Sequence, residues 1–195
     1  MVDNPTLTVI RERRSAIRFV SEPPVANEQL DAILEAGRWA PSAFNSQPWD
    51  FVVVTDPTIR SEMGAILRQQ ALVWAEFAAA PVMIVVSVNP SRDPGHFVED
   101  GAIAAQNLCL AAHSVGLASS WAGVYARGTG NDTVEKALKR LICLPRTHRI
   151  IAVVPVGTAT HAGRGSRHPL VEMVHKDRFS APVDARPTRA SHRGS

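Results

Sequence analysis

The sequence predicts a domain of the α/β or α+β class, built as three α/β/α layers with helices on both faces of a central sheet. Apolar runs such as residues 51–54 and 82–88 are continuous rather than alternating, which is typical of strands buried on both faces. Longer segments between them repeat apolar residues three and four positions apart, the spacing of helices. With 195 residues, 45% of them hydrophobic, the chain is long enough for one such domain with a substantial core.

The chain begins with two predicted helices and a strand. Residues 7–14 form a short helix that ends in a cluster of arginines. Residues 27–38 place apolar side chains at helical spacing, and Pro41 prevents this second helix from continuing. Residues 51–54 are a β-branched run that ends before Pro57, so we expect a strand there.

The middle of the chain predicts two longer helices around a second strand. Proline in its first turn favours a helix over residues 57–80, and residues 82–88 form an apolar strand. The next helix, residues 97–115, is apolar nearly all round, so we expect it to be buried on most faces. Its charged residues, Glu99 and Asp100, lie in the first turn, where the helix dipole favours acidic side chains.

The last third of the chain predicts two strands, a helix and an arm. The strands are expected over residues 117–124 and 149–156, with a helix over residues 133–143 between them. Residues 158–179 have no strong periodicity and are rich in glycine, arginine and histidine. We therefore expect this segment to dock on something outside its own core.

Much of the positive charge lies at the C-terminal end. Residues 181–195 hold three arginines against one aspartate, which is +2 of the formal net charge of +3. We expect a single domain over residues 1–180, followed by a flexible basic tail over residues 181–195. The nearly neutral body has no basic stripe interleaved with aromatic residues, which argues against nucleic-acid binding.

The cysteines and histidines do not predict a metal site. Cys109 and Cys143 fit no metal-binding spacing, and we expect two buried thiols in a reducing compartment. His161 and His168 are seven residues apart and lack neighbouring carboxylates. The N-terminus has no apolar run like that of a signal peptide, and no stretch reaches membrane-spanning length. We therefore expect a cytoplasmic protein with no membrane partner.

A dinucleotide-binding loop is also not predicted. Gly128-Thr129-Gly130 could begin one, but Thr133 stands where the third glycine is required. No strand feeds directly into this pair of glycines, so the motif does not indicate a Rossmann domain.

Three polar segments remain, and each has an ordinary structural interpretation on its own. Arg13-Arg14-Ser15 could be a solvated helix end, and residues 40–49 (APSAFNSQPW) could be a turn between two prolines. Residues 164–170 (RGSRHPL) could be a loose tail. Their combination is more informative than any one of them.

In this order and spacing, the segments resemble the nitroreductase family of flavoproteins. Residues 40–49 are the most specific part, and Gln106-Asn107-Leu108 with Gly116-Leu117 look like the central helix and following strand of that family. The resemblance spans roughly residues 6–179. It implies an α+β fold with a mixed central sheet flanked by helices, and a homodimer that exchanges its C-terminal arms.

The resemblance also implies FMN as the cofactor, with NADPH or NADH as the reductant. Arginine can bind phosphate through two parallel hydrogen bonds, and the resemblance assigns the FMN phosphate to Arg13 and Arg167, with Ser15 as a hydroxyl partner. It assigns Ser42 and Asn45 of the other subunit to the ring edge and ribityl chain. No catalytic residue is expected, because the flavin carries the chemistry. The expected cofactor-binding residues are Arg13, Arg14, Ser15, Ile17, Pro41, Ser42, Asn45, Gln47, Trp121, Ala122, Gly123, Arg164 and Arg167.

One position departs from the family pattern. Many members carry lysine or arginine two residues after the motif serine, near N1 of the flavin, but here that residue is Ile17 and the arginine is Arg18. A cation at N1 would stabilise the anionic reduced flavin, so either Arg18 supplies it or the charge is missing. Trp49 is expected in the core or an interface, whereas Trp39 and Phe44 are expected beside the substrate.

The implied activity is ping-pong hydride transfer from NAD(P)H, through flavin N5, to a nitroaromatic, a quinone or a similar acceptor. Two alternatives stay open. One is a specialised reaction on the same scaffold, which consumes flavin, dehalogenates, or oxidises amides or peptides. The other is a flavin-binding protein without catalysis. The sequence does not indicate a preference for NADH or NADPH, because no ribose-binding loop can be identified.

Overall fold

A computed structural model describes residues 4–69, 76–125 and 132–179. The chain divides into two compact units between Gly163 and Arg164, and each unit is described by itself. Three sequence predictions fall outside the described residues, wholly or in part. They are the Gly128-Thr129-Gly130 motif, the later part of the 57–80 helix and the basic tail.

In its described residues, the first unit contains one sheet of six strands, all but β2 of which connect through or beside β6. The strand order is β1-β6-β3-β2, and β4 and β5 also pair with β6. All the pairs between these strands are antiparallel, and the described residues add two isolated parallel bridges, Ser15 with Ser119 and Arg18 with Glu76. The strands are β1 (Ala16–Val20), β2 (Trp49–Val54), β3 (Val82–Val88), β4 (Ala118–Ser119), β5 (Ala122–Gly123) and β6 (Arg149–Ala162).

Among the residues that the structure describes, five α-helices surround this sheet, and polar side chains cap the start of two of them. The Asn4 side chain accepts from Thr6 N at 2.9 Å, and the Asp56 side chain accepts from Thr58 N at 2.8 Å, so both ends satisfy otherwise unpaired N–H groups. Gly116 follows the fourth helix with a φ of 80°, a conformation that glycine adopts readily. The helices are α1 (Pro5–Glu12), α2 (Asn27–Arg38), α3 (Pro57–Leu67), α4 (Phe97–Ser114) and α5 (Asp132–Leu141).

Two hydrophobic clusters lie on the two faces of the sheet. One packs α2 and α4 against alternate residues of β3, among them Ile84 and Val86. The other packs α3 and α5 against the residues in between, including Met83 and Val85. Every residue of β3 is buried, as the continuous apolar run predicted, and the three-layer architecture follows from burial on both faces.

Two glycines allow α4 to pack unusually close to its neighbours. A Cβ at Gly101 would lie 2.5 Å from Ile151 Cγ1 and 2.9 Å from Val88 Cγ1. Two turns farther along α4, a Cβ at Gly37 of α2 would lie 2.7 Å from Leu108 Cδ2. The position of α4 is therefore fixed from both the sheet and α2.

The helix predicted over residues 57–80 is wrong at its described end, residues 76–80. The described residues after Gln69 are not helical, because tertiary contacts override the helix propensity of this alanine-rich stretch. Phe77 is buried against Phe19, and the Arg60 guanidinium holds the Ala78 and Ala80 carbonyls.

The predicted strands differ from the observed ones at two places. The 117–124 strand is interrupted between β4 and β5, where Pro155 of β6 accepts from Ser120 N but has no N–H to donate in return. β6 continues beyond the predicted end at residue 156, since Gly157 serves close packing against Pro81 rather than a turn. Its extension pairs with β1, a strand that the periodicity did not predict.

The prediction of two buried thiols is half wrong. Cys109 is buried in α4, whereas Cys143 is exposed. Cys143 follows α5 with a φ of 53°, and Leu144 N donates to the Lys139 carbonyl at 2.9 Å, which is the pattern of a helix C-cap. The apolar neighbours of Cys143 in sequence turn inward while this residue turns outward.

Candidate functional site

The first group of predicted site residues lies where β1, β4 and β5 converge on β6. Ser15, directly before β1, forms a parallel bridge with Ser119 of β4. Gly163 N donates to the Ser15 carbonyl at 2.9 Å and ties the same segment to the end of β6. Backbone pairing therefore joins stretches that are far apart in sequence. We call the predicted residues Arg13, Arg14, Ser15, Ile17, Trp121, Ala122 and Gly123 the sheet-side cluster.

Arg13 brings positive charge to this cluster. It ends α1 and is half-buried. Burial raises the pKa of the Cys109 thiol, while its hydrogen bond with Ser119 and the positive charge of Arg13 act in the opposite direction. A cation, a serine hydroxyl and backbone groups are the elements that phosphate binding requires.

Arg14 has a different environment from Arg13. Its guanidinium donates to the Arg11 carbonyl at 2.5 Å and to the Arg13 carbonyl at 3.0 Å. These bonds cap the C-terminus of α1. A role at the helix end therefore explains the position of the Arg14 side chain without a bound phosphate.

Trp121 and Gly123 pack against each other in the same cluster. The Trp121 side chain is 51% exposed, and a Cβ at position 123 would lie 2.9 Å from its ring. Glycine at position 123 therefore makes room for the indole of Trp121. The same lack of a side chain would allow the backbone to approach a flavin ring closely, as the sequence predicted.

The second group of predicted residues lies in a strained turn, residues 42–47, which we call the 42–47 loop. Phe44, Asn45 and Gln47 have φ values of 52°, 57° and 44°, a region that non-glycine residues occupy at a cost of about 1 kcal/mol or more each. Ser42 Oγ accepts from Gln47 N at 3.0 Å, and Asn45 N donates to the Ser42 carbonyl at 3.1 Å. Strain of this kind persists only where surrounding contacts hold it.

Asp100 in the first turn of α4 holds this loop. It is 3% exposed, and it accepts from Ala43 N at 3.1 Å and from Ser46 Oγ at 3.3 Å. Asp100 lies in the first turn of α4 as the sequence predicted, but the sequence pattern indicated only a role at the helix dipole. The available signal was a carboxylate on a helix expected to be buried on most faces, because a buried carboxylate needs hydrogen-bond donors.

Two further contacts hold the far end of the loop. Arg92 Nη1 donates to the Gln47 carbonyl at 3.2 Å, and Asn89 N donates to the Pro48 carbonyl at 2.8 Å. Both donors come from the link between β3 and α4. Ser46, Gln47 and Arg92 also line an open cavity of about 1130 Å³ between α2 and β2.

The sheet-side cluster and the 42–47 loop contact different parts of α4. Asp100 meets the loop, whereas the carbonyl of Cys109 accepts from Ser119 Oγ at 3.5 Å beside the cluster. Asp100 and Cys109 are nine positions apart in this helix. At 1.5 Å and about 100° per residue, they are about 13.5 Å apart along the axis and on opposite sides of the helix. Within one protomer, the two groups are therefore not brought together.

The contacts around Ile17 show which partner the neighbouring Arg18 has in this structure. Arg18 Nε donates to Glu76 Oε2 at 3.1 Å, and Glu76 N donates to the Ile17 carbonyl at 3.0 Å. The ion pair is exposed, with side-chain exposures of 62% and 64%. Arg18 is therefore engaged with Glu76, while Ile17 is 42% exposed and apolar.

The aromatic residues of the predicted site differ in exposure. Trp49 is buried at 7% exposure, in the core cluster of α2 and α4. Trp39 is 72% exposed and Phe44 is 98% exposed, so both rings are open to contact by another molecule. Whether they border a substrate stays a prediction.

The second unit contains Arg164 and Arg167. Arg167 Nη1 donates to the Ser166 carbonyl at 2.8 Å, and a short 3₁₀ helix follows at Leu170–Glu172. Several large apolar side chains of this unit are exposed, which suits an arm that packs on another surface. They are Leu170, Val171, Met173, Val174 and Phe179.

Comparison with known proteins decides the family. The sequence profile of the nitroreductase family matches residues 10–158, more than half of the chain. The chain belongs to the nitroreductase family. The recognition made from the sequence is therefore confirmed.

Relatives of this nitroreductase agree in sequence and in fold. A protein of Methanothermobacter thermautotrophicus, provisionally named an NADH dehydrogenase/NAD(P)H nitroreductase, is 37% identical over 153 residues, which is 77% of this chain and 75% of that protein. A solved structure with the same provisional name, from Bacteroides thetaiotaomicron, gives a TM-score of 0.79 at 27% identity and covers 91% of this chain and 100% of its own. A provisionally named nitroreductase of Desulfovibrio desulfuricans, solved in complex with FMN, gives 0.73 at 28% identity, with 92% and 100% covered. The predicted α+β fold is confirmed, while arm exchange stays a prediction.

The described residues lack two further features, a membrane-spanning helix and a cluster of metal ligands. No helix within them combines the length and the apolar content needed to cross a bilayer. The same residues contain no group of three or more histidine, cysteine, aspartate or glutamate side chains placed to hold a metal ion.

Proposed function

We propose that this nitroreductase is an FMN-dependent oxidoreductase that passes hydride from NADPH or NADH to a small acceptor such as a nitroaromatic or a quinone. The observation that carries the proposal is the sheet-side cluster, in which Ser15, two residues after Arg13, pairs with Ser119 of β4 in a chain of this family. The FMN complex of the Desulfovibrio desulfuricans relative supports the cofactor. The name of the Methanothermobacter thermautotrophicus relative supports the reductant.

Bound FMN would supply the hydride chemistry, and the residues of the chain would bind and orient it. Arg13 and Arg167 are proposed to hold the phosphate, with Ser15 as a neutral donor and Arg164 nearby. The backbone around Trp121 and Gly123 is proposed to lie along the ring. The half-buried position of Arg13 supports its role, because a partly desolvated guanidinium binds phosphate more strongly than a solvated one.

The working unit is proposed to be a homodimer. Ser42 and Asn45 belong to the 42–47 loop, which contacts α4 about 13.5 Å along the axis from the sheet-side cluster and on the opposite side. A second copy of the chain would bring its own loop to the cluster of the first. Each flavin would then be held by residues of both protomers.

Reductant and acceptor are proposed to use the same face of the flavin in turn. This order of events is a ping-pong mechanism, in which the oxidised nicotinamide leaves before the acceptor binds. The exposed rings of Trp39 and Phe44 are proposed to border that face. Initial rates at several fixed acceptor concentrations should then give parallel lines in a double-reciprocal plot.

The decisive experiment is the visible spectrum of the purified protein under anaerobic conditions, before and after NADPH or NADH is added. We expect a flavin spectrum that bleaches with at least one nicotinamide. A flavin spectrum that persists with both would instead favour a specialised flavin reaction or a non-catalytic flavin protein. A colourless protein that does not bind added FMN would contradict the proposal altogether.

A further inference from the structure

We infer that Asp100 is a positioning residue, which fixes the strained 42–47 loop and thereby the direction in which Ser42 and Asn45 present their polar groups. The inference rests on the proposed function for the identity of the ligand. Its structural part, that Asp100 holds the loop, stands independently of any flavin.

The contacts of Asp100 make it a brace rather than a simple helix cap. Its two oxygens are used separately, with Oδ1 accepting from Ala43 N and Oδ2 accepting from Ser46 Oγ. The side chain thus holds both flanks of the tip, which consists of Phe44 and Asn45. Because Asp100 is 3% exposed, water cannot readily replace either donor.

The loop held in this way sets the polarity of Ser42. Ser42 Oγ accepts the Gln47 N–H at 3.0 Å, so one lone pair of the hydroxyl is occupied within the loop. Its proton is then free to be donated to an acceptor outside the loop, such as a carbonyl oxygen or ring nitrogen. Ser42 Oγ therefore keeps its proton and one lone pair for a partner outside the loop.

The position of α4 gives the brace its rigidity. Gly101, the next residue in the helix, lies against Ile151 and Val88 so closely that a Cβ would not fit. The backbone of Asp100 therefore stays in place if the loop moves, because the helix that carries it is packed against the sheet. Without Asp100, the positive φ angles of Phe44 and Asn45 would be free to relax.

The test compares Asp100→Asn with Asp100→Leu. Asparagine can still accept from Ala43 N through its carbonyl oxygen and can donate to Ser46 Oγ, whereas leucine fills the space without polar atoms. Ser46→Ala removes only one contact and serves if the leucine variant does not fold. Glu99→Gln is the control, because Glu99 is the exposed neighbour in the same turn and its loss also removes one negative charge.

The first readout is amide hydrogen exchange at Ala43, Ser46 and Gln47 in the flavin-free protein. We expect exchange to be about tenfold faster or more in Asp100→Leu, and near wild type in Asp100→Asn and Glu99→Gln. Unchanged exchange in both Asp100→Leu and Ser46→Ala would overturn the brace. This readout needs no cofactor, so it separates failure of the inference from failure of the proposed function.

The second readout is the dissociation constant of FMN, measured by flavin fluorescence and set beside the melting temperature. We expect about tenfold weaker binding in Asp100→Leu and about threefold weaker binding in Ser46→Ala, with rescue in Asp100→Asn. Asp100→Asn binding FMN as poorly as Asp100→Leu, with its loop still protected from exchange, would overturn the positioning role and indicate that the charge itself matters. Loss of affinity that follows the melting temperature across all variants would show a merely structural role.

Discussion

The sheet-side cluster and the 42–47 loop are built in different ways. The cluster is held by backbone pairing, with three strands and the Ser15–Ser119 bridge meeting on β6. The loop has no strand partner at its tip, and a buried carboxylate, an arginine and a serine hydroxyl hold it in a strained conformation. The cluster therefore shares the stability of the whole sheet, whereas the loop depends on a few polar side chains.

This difference separates two kinds of mutational effect. Substitution of a side chain in the cluster should change what the site binds but not the shape of the site, because the backbone defines that shape. Substitution of a residue that supports the loop should first change the conformation of the loop and, as a result, the affinity for the ligand.

Removal of the proposed phosphate clamp should have the largest effect. The double variant Arg13→Ala/Arg167→Ala should bind FMN about a hundredfold more weakly, because hydrogen bonds to charged groups contribute about 1.5–3 kcal/mol each. Riboflavin, which lacks the phosphate, should bind the variant as it binds the wild type. Fluorescence titration with both ligands measures the effect. Equal losses for FMN and riboflavin would show that the arginines hold the shape of the cluster instead of the phosphate.

Glu135→Gln should weaken the sheet without a specific effect on the loop. Glu135 of α5 is buried and accepts from Arg149 Nη2 at 2.8 Å and from Ile150 N at 3.0 Å, at the start of β6. We expect the free energy of unfolding at neutral pH to fall by about 2 kcal/mol, because the buried donors keep only a neutral acceptor. Chemical denaturation measures this change, while exchange at Ala43 should stay near wild type because it reports local opening.

The loss of unfolding free energy caused by Glu135→Gln should disappear at acidic pH. Burial opposes ionisation of Glu135, but hydrogen bonds from Arg149 and from Ile150 N, with the charge of Lys139, outweigh it and hold the pKa of Glu135 below its ordinary range. The stabilisation is thus fully present above the unfolded pKa of about 4.3 and is lost as the pH falls through the lower, folded value. Denaturation curves from pH 7 to pH 3 should converge for the two proteins. A constant difference across this range would contradict the assignment.

Ile17→Lys should change the flavin rather than the fold. Ile17 is exposed, so a lysine can be accommodated, and Arg18 is engaged with Glu76. A cation near N1 should stabilise the reduced flavin and raise its two-electron potential by about 30 mV, which corresponds to about 1.4 kcal/mol. Photoreduction with a reference dye measures the potential. Thr58→Lys, at the exposed start of α3, is a control for the added charge. An unchanged potential would place Ile17 away from N1.

The same contrast explains what could be predicted from the sequence. Continuous apolar runs identified β3 and the buried α4, and proline and glycine marked most of their ends, because these features depend on local pattern and burial. The helix expected up to residue 80 failed because Arg60 and Phe77 form long-range contacts that a local pattern does not contain. For the same reason, β1 and the extension of β6 were missed, since each depends on pairing with the other.

The candidate site divides in the same manner. Motif order pointed to Arg13, Ser15 and Ser42, since their residue types and spacing are visible in the sequence. The brace by Asp100 was not visible, because it depends on a fold that places the start of α4 beneath a loop more than fifty residues earlier in the chain. The separation of the two groups on opposite sides of α4 also required the structure.

The exposure of Cys143 has a practical consequence. The chain has two cysteines, and Cys109 is buried, so a thiol-reactive label should attach at one position without any engineering. A nitroxide spin label on Cys143 would give one label-to-label distance in a symmetric dimer and no dipolar signal in a monomer. Pulsed electron resonance on the native sequence could therefore determine whether two chains assemble, before any residue is changed.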